Sequence, residues 1–342
     1  MVEAAPKKSR WKGLLQNLAL MAGTFFLCVA VFEIALRLKG YGNLEIYEPD
    51  PVLYWKLKPN QDCYTKVDHK PVHINSQGTR GPEFQPNKPA DTIRILSLGD
   101  SRTFGWGLTE QETYSKQLEQ LLQQYVGGKR KVEVINAGVN AWSYPQMLAY
   151  LREVGSKYQP DYVILAEANL WTQFSDKNDP EFVRKFMSRV RLKNFLRRFA
   201  IYHYIVEVKL QAFYQANRAK FIPVDPKQDV LFKEQQQKDP DAVFRSAIED
   251  VCALALSKGE KPFLLYLPPQ GDLERGEQRV LKTKQAAAAK LNVPVVDLTP
   301  ALRAAAREKT LYLDADPIHF STEGNRIIAR ELFAAMTNSI TP

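Results

Sequence analysis

Cysteine is nearly absent from this chain of 342 residues, which holds only three. Cys28 falls inside a long apolar stretch, so Cys63 and Cys252 are the only pair that a disulfide in an oxidising compartment could join, and sequence alone does not decide whether it forms. No Cys-x-x-Cys spacing occurs, so neither a metal nor another cofactor is expected. No internal repeat is visible. Acidic residues are in deficit, with 38 Asp and Glu against 47 Lys and Arg, which leaves a formal charge of +9. Nucleic acid is set aside as the partner of this basic chain, because no nucleic-acid-binding motif is present. An anionic membrane surface or an acidic polymer accounts for the charge better.

Long apolar runs, in contrast, are not lacking. Lys7, Lys8, Arg10 and Lys12 precede a mostly apolar stretch over residues 14–36, enough for the ~20 residues that a membrane helix needs. Glu33 and Arg37 lie at i and i+4 near its far end, where they can pair and snorkel. No small-residue cleavage site of the Ala-x-Ala type follows, which favours an uncleaved signal anchor. The basic cluster keeps the N-terminus cytoplasmic. The expected organisation is a cytoplasmic tail at 1–13, a transmembrane anchor at 14–38, an extracytoplasmic linker and extension at 39–92, and one domain at 93–342. That domain would face the outside of the inner (cytoplasmic) membrane.

Within the domain, apolar strand candidates at 93–98, 132–135, 162–166, 263–267 and 293–296 alternate with helical periods at 113–125, 145–157, 241–258 and 276–291, and a last helix is expected at 322–336. Such alternation implies βαβ units, a parallel sheet and a three-layer α/β/α sandwich. Residues 173–240 exceed a simple crossover. They carry Arg184, Lys185, Arg189, Arg191, Lys193, Arg197 and Arg198, followed by Phe199, Ile201, Tyr202, Tyr204, Ile205 and Val206. Three uses fit this basic and apolar insertion: a membrane-surface element beside the anchor, a lid, or a docking site for a protein partner. A solvated helix packed on its own domain is the plain alternative.

The chemistry concentrates at two places. Gly99-Asp100-Ser101 follows the strand at 93–98, and Asp316-Pro317-Ile318-His319 stands near the C-terminus. A serine hydroxyl becomes a nucleophile when an imidazole takes its proton and a carboxylate holds that imidazole in one tautomer. Ser101 at the C-terminal end of a buried strand would stand where open α/β sheets bind their ligands.

The arrangement resembles the SGNH (GDSL-type) hydrolase family, in a membrane-anchored bacterial form. Gly99-Asp100-Ser101 with Thr103-Phe104-Gly105 matches the first block of that family. Residues 136–143, Asn-Ala-Gly-Val-Asn-Ala-Trp-Ser, match the second. Asn169 after the strand at 162–166 matches the third, and Asp316-x-x-His319 the last. The resemblance implies a flavodoxin-like parallel sheet and assigns Ser101, His319 and Asp316 to catalysis. It forms an oxyanion hole from the N–H of Ser101, the N–H of Ala141 and the amide of Asn169. Ala141 stands in place of the usual glycine, while Glu167, Leu170 and Arg102 also depart from the family pattern. Arg102 is open to two readings, a salt bridge with Glu167 or recognition of a substrate anion. Trp142 and Trp171 are candidates to stack on a sugar ring, with core packing as the alternative. The implied activity is ester hydrolysis through an acyl-serine, acting on an acylated small molecule or on an acetylated cell-envelope or exported polysaccharide. An O-acyltransferase and a non-catalytic binding or assembly subunit of a membrane complex are the competing classes.

Overall fold

The computed structural model describes residues 10–44, 47–65, 69–166, 180–210, 213, 240–276, 278–314 and 316–340. Helix α1 (Arg10–Leu38) is apolar on all sides and leaves nearly every side chain exposed. Its 29 residues span about 43 Å at ~1.5 Å per residue. Among the described residues it is the one helix long and apolar enough to cross a membrane.

Two antiparallel hairpins follow: β1 (Tyr47–Asp50) with β2 (Tyr54–Leu57), and β3 (Gln61–Tyr64) with β4 (Pro71–Ile74). These residues were expected to form a linker with short strands and turns, but they do more than connect. Leu53, Trp55, Leu57, Cys63, Val72 and Ile74 are buried in the same core as Leu96 and Leu98 of the central sheet. Apolar residues alternate in β2 and β4, so each hairpin has one face that must be covered, and the domain covers it. Cys63 and Cys252 are both buried and are not joined in a disulfide. Burial pushes the Cys252 thiol up to about 12.

The domain proper runs β5 (Thr92–Gly99), α2 (Ser101–Phe104), α3 (Tyr114–Tyr125), β6 (Lys131–Gly138), α4 (Tyr144–Glu153), β7 (Tyr162–Ala166), α5 (Pro180–Leu196) and α6 (Ala200–Tyr202). It continues through α7 (Pro240–Ser257), β8 (Lys261–Tyr266), α8 (Gln270–Arg275), α9 (Arg279–Leu291), β9 (Val295–Asp297), α10 (Thr299–Ala305) and α11 (Thr322–Thr337). The five strands pair in parallel in the order β6-β5-β7-β8-β9. This is the flavodoxin-like order 2-1-3-4-5, whose switch point lies beside the first strand, here β5. Alternate residues of each strand face opposite sides. Leu96, Leu98, Val163 and Leu165 pack with α4, α7 and α9. Ile93, Ile95, Ile164 and Phe263 pack with α3, α10 and α11. Three layers result.

Helix boundaries deviate from expectation at two places. The helix expected at 145–157 stops at Glu153 and continues as a 3-10 turn, where Gly155 packs so tightly that an added Cβ would lie 2.8 Å from Leu96. The helix expected at 276–291 begins only at Arg279, because Gly276, at φ 73°, closes the preceding helix α8 in the left-handed conformation.

Candidate active site

Ser101 opens α2 immediately beyond β5. Asp100 caps that helix, its carboxylate accepting from the N–H of Arg102. The close approach of α2 to the sheet depends on Gly99 and Gly138, which are register partners on β5 and β6. A Cβ at Gly138 would collide with the backbone N of Phe104 and approach the carbonyl carbon of Thr103 to 2.6 Å. A buried hydroxyl cluster holds the other side. The phenol of Tyr114 lies 2.9 Å from Ser97 Oγ and 2.8 Å from Thr103 Oγ1, and burial pushes it up to about 12.

The loop over residues 313–319 carries the other two groups to this point. It is pinned by the N–H of Leu313 donating to the carbonyl of His319 and by the N–H of Gln270, at the start of α8, donating to the carbonyl of Pro317. Asp316 Oδ1 accepts from the N–H groups of Ile318 and His319, while its Oδ2 lies 2.6 Å from His319 Nδ1. His319 Nε2 lies 2.7 Å from Ser101 Oγ. The three residues therefore stand in one hydrogen-bonded chain although 218 positions separate Ser101 from His319. Burial alone would raise the Asp316 carboxyl. The bonds and charge of His319, with the two amides, outweigh it and hold that carboxyl below the usual aspartate value. With the carboxylate ionised, Nδ1 carries the proton and Nε2 is free to accept from the serine.

Ala141 has φ 63°, in the left-handed region that an L side chain seldom adopts. Among the described residues, the N–H groups of Ser101 and Ala141 donate to no protein acceptor. Asn169, with Glu167, Leu170 and Trp171, lies outside the described residues.

Two expectations for substrate contacts need correction. Trp142 is buried, its indole N–H donating to the carbonyl of Trp55 at 2.9 Å. It lines a cavity of about 280 Å³ with Leu53, Val139 and Tyr150, apart from Ser101 and His319, and so packs the core instead of offering a sugar platform. Arg102 is buried too, with its guanidinium bonded to the carboxylate of Asp100 and to the carbonyl of Leu267. A guanidinium taken from water needs an anion close by, and the capping aspartate two residues back supplies one. His69 and His73 have His-x-x-x-His spacing but point to different partners. His69 stacks on Tyr64 and His203, and His73 bonds Asp62 at 2.7 Å.

Other residues brace the site without having been singled out. Trp106 stacks on His319. Arg80, within the Asn- and Gly-rich run at 75–82, donates to the carbonyls of Phe104, Gly105 and Leu108 just past α2. The indole N–H of Trp55 donates to the carbonyl of Asn140, and Asn140 Nδ2 donates to the hydroxyl of Tyr47. The 75–82 run forms a turn, with Asn75 Oδ1 accepting from the N–H groups of Gln77 and Thr79. Its arginine was the available signal.

Residues 97–327 match the GDSL-like lipase/acylhydrolase family. Solved structures similar to this chain include an acetylxylan esterase from Geobacillus stearothermophilus, at 16% identity, TM-score 0.44, 71% of this chain and 93% of that one. An alpha/beta hydrolase from the metagenome of Lake Arreo, Spain, matches at 14% identity, TM-score 0.45, 73% of this chain and 97% of the other. No curated protein matches the chain.

Proposed function

This chain belongs to the GDSL-like lipase/acylhydrolase family and is a hydrolase of ester bonds, and from that premise we propose that it is a membrane-anchored, extracytoplasmic serine esterase working through an acyl-Ser101 intermediate. The observation that carries this reading is the chain from Ser101 Oγ through the His319 ring to Asp316.

In the proposed reaction Ser101 Oγ attacks the ester carbonyl while His319 Nε2 takes the hydroxyl proton. The carbonyl oxygen becomes an oxyanion held by the N–H groups of Ser101 and Ala141, both without a protein acceptor among the described residues. The family resemblance assigns a third donor to the side-chain amide of Asn169, which lies outside the described residues. Each such donor is worth about 2.7–4 kcal/mol of barrier. The tetrahedral intermediate collapses, the alcohol leaves with the proton from His319, and Ser101 keeps the acyl group. Water, deprotonated by His319, then attacks the acyl carbon and restores the serine. Asp316 stabilises the imidazolium in both halves.

The setting rests on the α1 helix with its basic N-terminal flank, which orients the domain away from the cytoplasm. An O-acyl ester on a cell-envelope or exported polysaccharide is a substrate consistent with that location. The test is covalent labelling of the full-length protein in membranes with a serine-directed fluorophosphonate, beside folded Ser101→Ala and His319→Ala variants. Labelling confined to the wild type is the expected result. A folded wild type that does not label overturns the activated serine and favours a non-catalytic subunit.

A further inference from the structure

Outside α1, half of the large apolar side chains exposed among the described residues belong to one short segment. Leu192, Phe195, Phe199, Ile205 and Leu210 are each at least 41% exposed. Soluble surfaces rarely gather such side chains without a partner. The same segment presents Arg189, Arg191 and Arg198 to solvent.

Its position identifies the partner. The Glu33 carboxylate of α1 accepts from the N–H of Ala200 at 2.9 Å and of Ile201 at 3.0 Å. Arg37 donates to the carbonyl of Arg198 at 2.6 Å. The Phe32 ring meets Tyr204 edge to face, centroids 6.3 Å apart. The segment is thus fastened to one turn of α1, Phe32 to Arg37. If the hydrocarbon core takes about 20 residues from Leu14, it ends near Glu33. Whatever packs beside Phe32, Glu33 and Arg37 then lies at the depth of the outer headgroups. Apolar side chains with arginines at that depth match an interfacial element in an anionic membrane.

We infer that residues 189–210 form a second membrane contact, a foot seated in the outer interface of an anionic bilayer and pinned to the anchor by Glu33. The inference rests on the reading of α1 as a transmembrane anchor. A foot held to the helix in this way sets the height and tilt of the catalytic domain over the membrane, which a single helix with a pliant linker would leave undefined.

The test uses the full-length Cys28→Ser chain, in which the other two cysteines are buried, carrying Ile205→Cys, Leu210→Cys or, as a control on the exposed side of α3, Gln124→Cys. Each is labelled with an environment-sensitive fluorophore and reconstituted into phosphatidylcholine–phosphatidylglycerol vesicles containing lipids spin-labelled near the headgroup. Marked quenching at 205 and 210 with little at 124 is expected. Quenching at 205 and 210 no greater than at 124, in protein that resists alkaline extraction, leaves the anchor standing and overturns the foot. Release of the chain at alkaline pH overturns both.

Discussion

The indole of Trp106 lies against the imidazole of His319, ring centroids 5.7 Å apart and planes inclined by 26°. One face of the proposed general base is thereby covered by a side chain five residues beyond the serine it serves. An aromatic face beside a ring that becomes cationic in the transition state is worth about 0.5–1 kcal/mol at a partly exposed site. Trp106→Leu should accordingly lower kcat about two- to fivefold, with KM for a small acetyl ester nearly unchanged. A loss confined to KM would show that Trp106 binds substrate instead.

Ser101, His319 and Asp316 are expected to act as a unit. Ser101→Ala and His319→Ala should each lower kcat by roughly 10⁴–10⁶-fold, and the double variant should be no worse than either alone. Asp316→Asn keeps an oxygen for the amides of Ile318 and His319 but turns an N–H₂ toward Nδ1, so a loss of about 10⁴-fold is expected with folding intact. Steady-state kinetics with circular dichroism checks all four.

Ala141 is strained at φ 63°. A left-handed L residue costs roughly 1–2 kcal/mol, and glycine relieves this while adding freedom to the unfolded chain. Ala141→Gly should raise unfolding stability by about 1 kcal/mol or less and keep activity, since the proposed donor is the backbone N–H. A large fall in kcat would place the Ala141 methyl in the mechanism.

Arg80→Met removes donors from the carbonyls of Phe104, Gly105 and Leu108, of which only Gly105 keeps another donor among the described residues, the N–H of Leu108. Leaving buried acceptors without partners costs about 1–3 kcal/mol, so the denaturation midpoint should fall. The rate of fluorophosphonate labelling at Ser101 should fall with it under conditions where the variant is folded. Labelling at the wild-type rate would confine Arg80 to stability.

Glu260 is buried, with Oε2 lacking a hydrogen-bond partner among the described residues, and burial pushes its carboxyl up. The folded state therefore holds this proton more tightly than the unfolded chain, where glutamate titrates near pH 4.3. Its stabilising contribution is complete below about pH 4.3 and is lost as pH rises through the native value. Glu260→Gln should stabilise the protein at pH 8 relative to wild type, and this advantage should vanish at pH 4. Urea midpoints at the two pH values decide it; equal differences at both would remove the argument.

Periodicity made the α/β class legible. The strands at 93–98 and 162–166 are buried on both faces and read as apolar runs, interrupted in the first only by Arg94 and Ser97, a purely local property. Gly99-Asp100-Ser101 and Asp316-x-x-His319 were readable for a similar reason, because each is a short segment whose residue types state their chemistry. The hairpins at 47–74 were less so, since four-residue strands with mixed burial carry too little period to distinguish them from a linker. Trp142 and Arg102 stayed open between core and substrate roles because a side chain's type does not say whether it faces solvent. Asp100, which the structure shows capping α2, is also the counterion that lets Arg102 be buried.

The layered architecture, the long apolar N-terminal helix and the chemical types of the candidate site residues were all set by local sequence, because backbone periodicity and side-chain chemistry are carried by neighbouring residues. Long-range packing alone brings Ser101 and His319 to 2.7 Å, puts Ala141 in the left-handed backbone, lets Arg80 and Trp55 brace the site from the N-terminal extension, and joins Glu33 to the far insertion. Each of these depends on contacts between residues far apart in the chain, which close only when burial of the shared core brings the segments together.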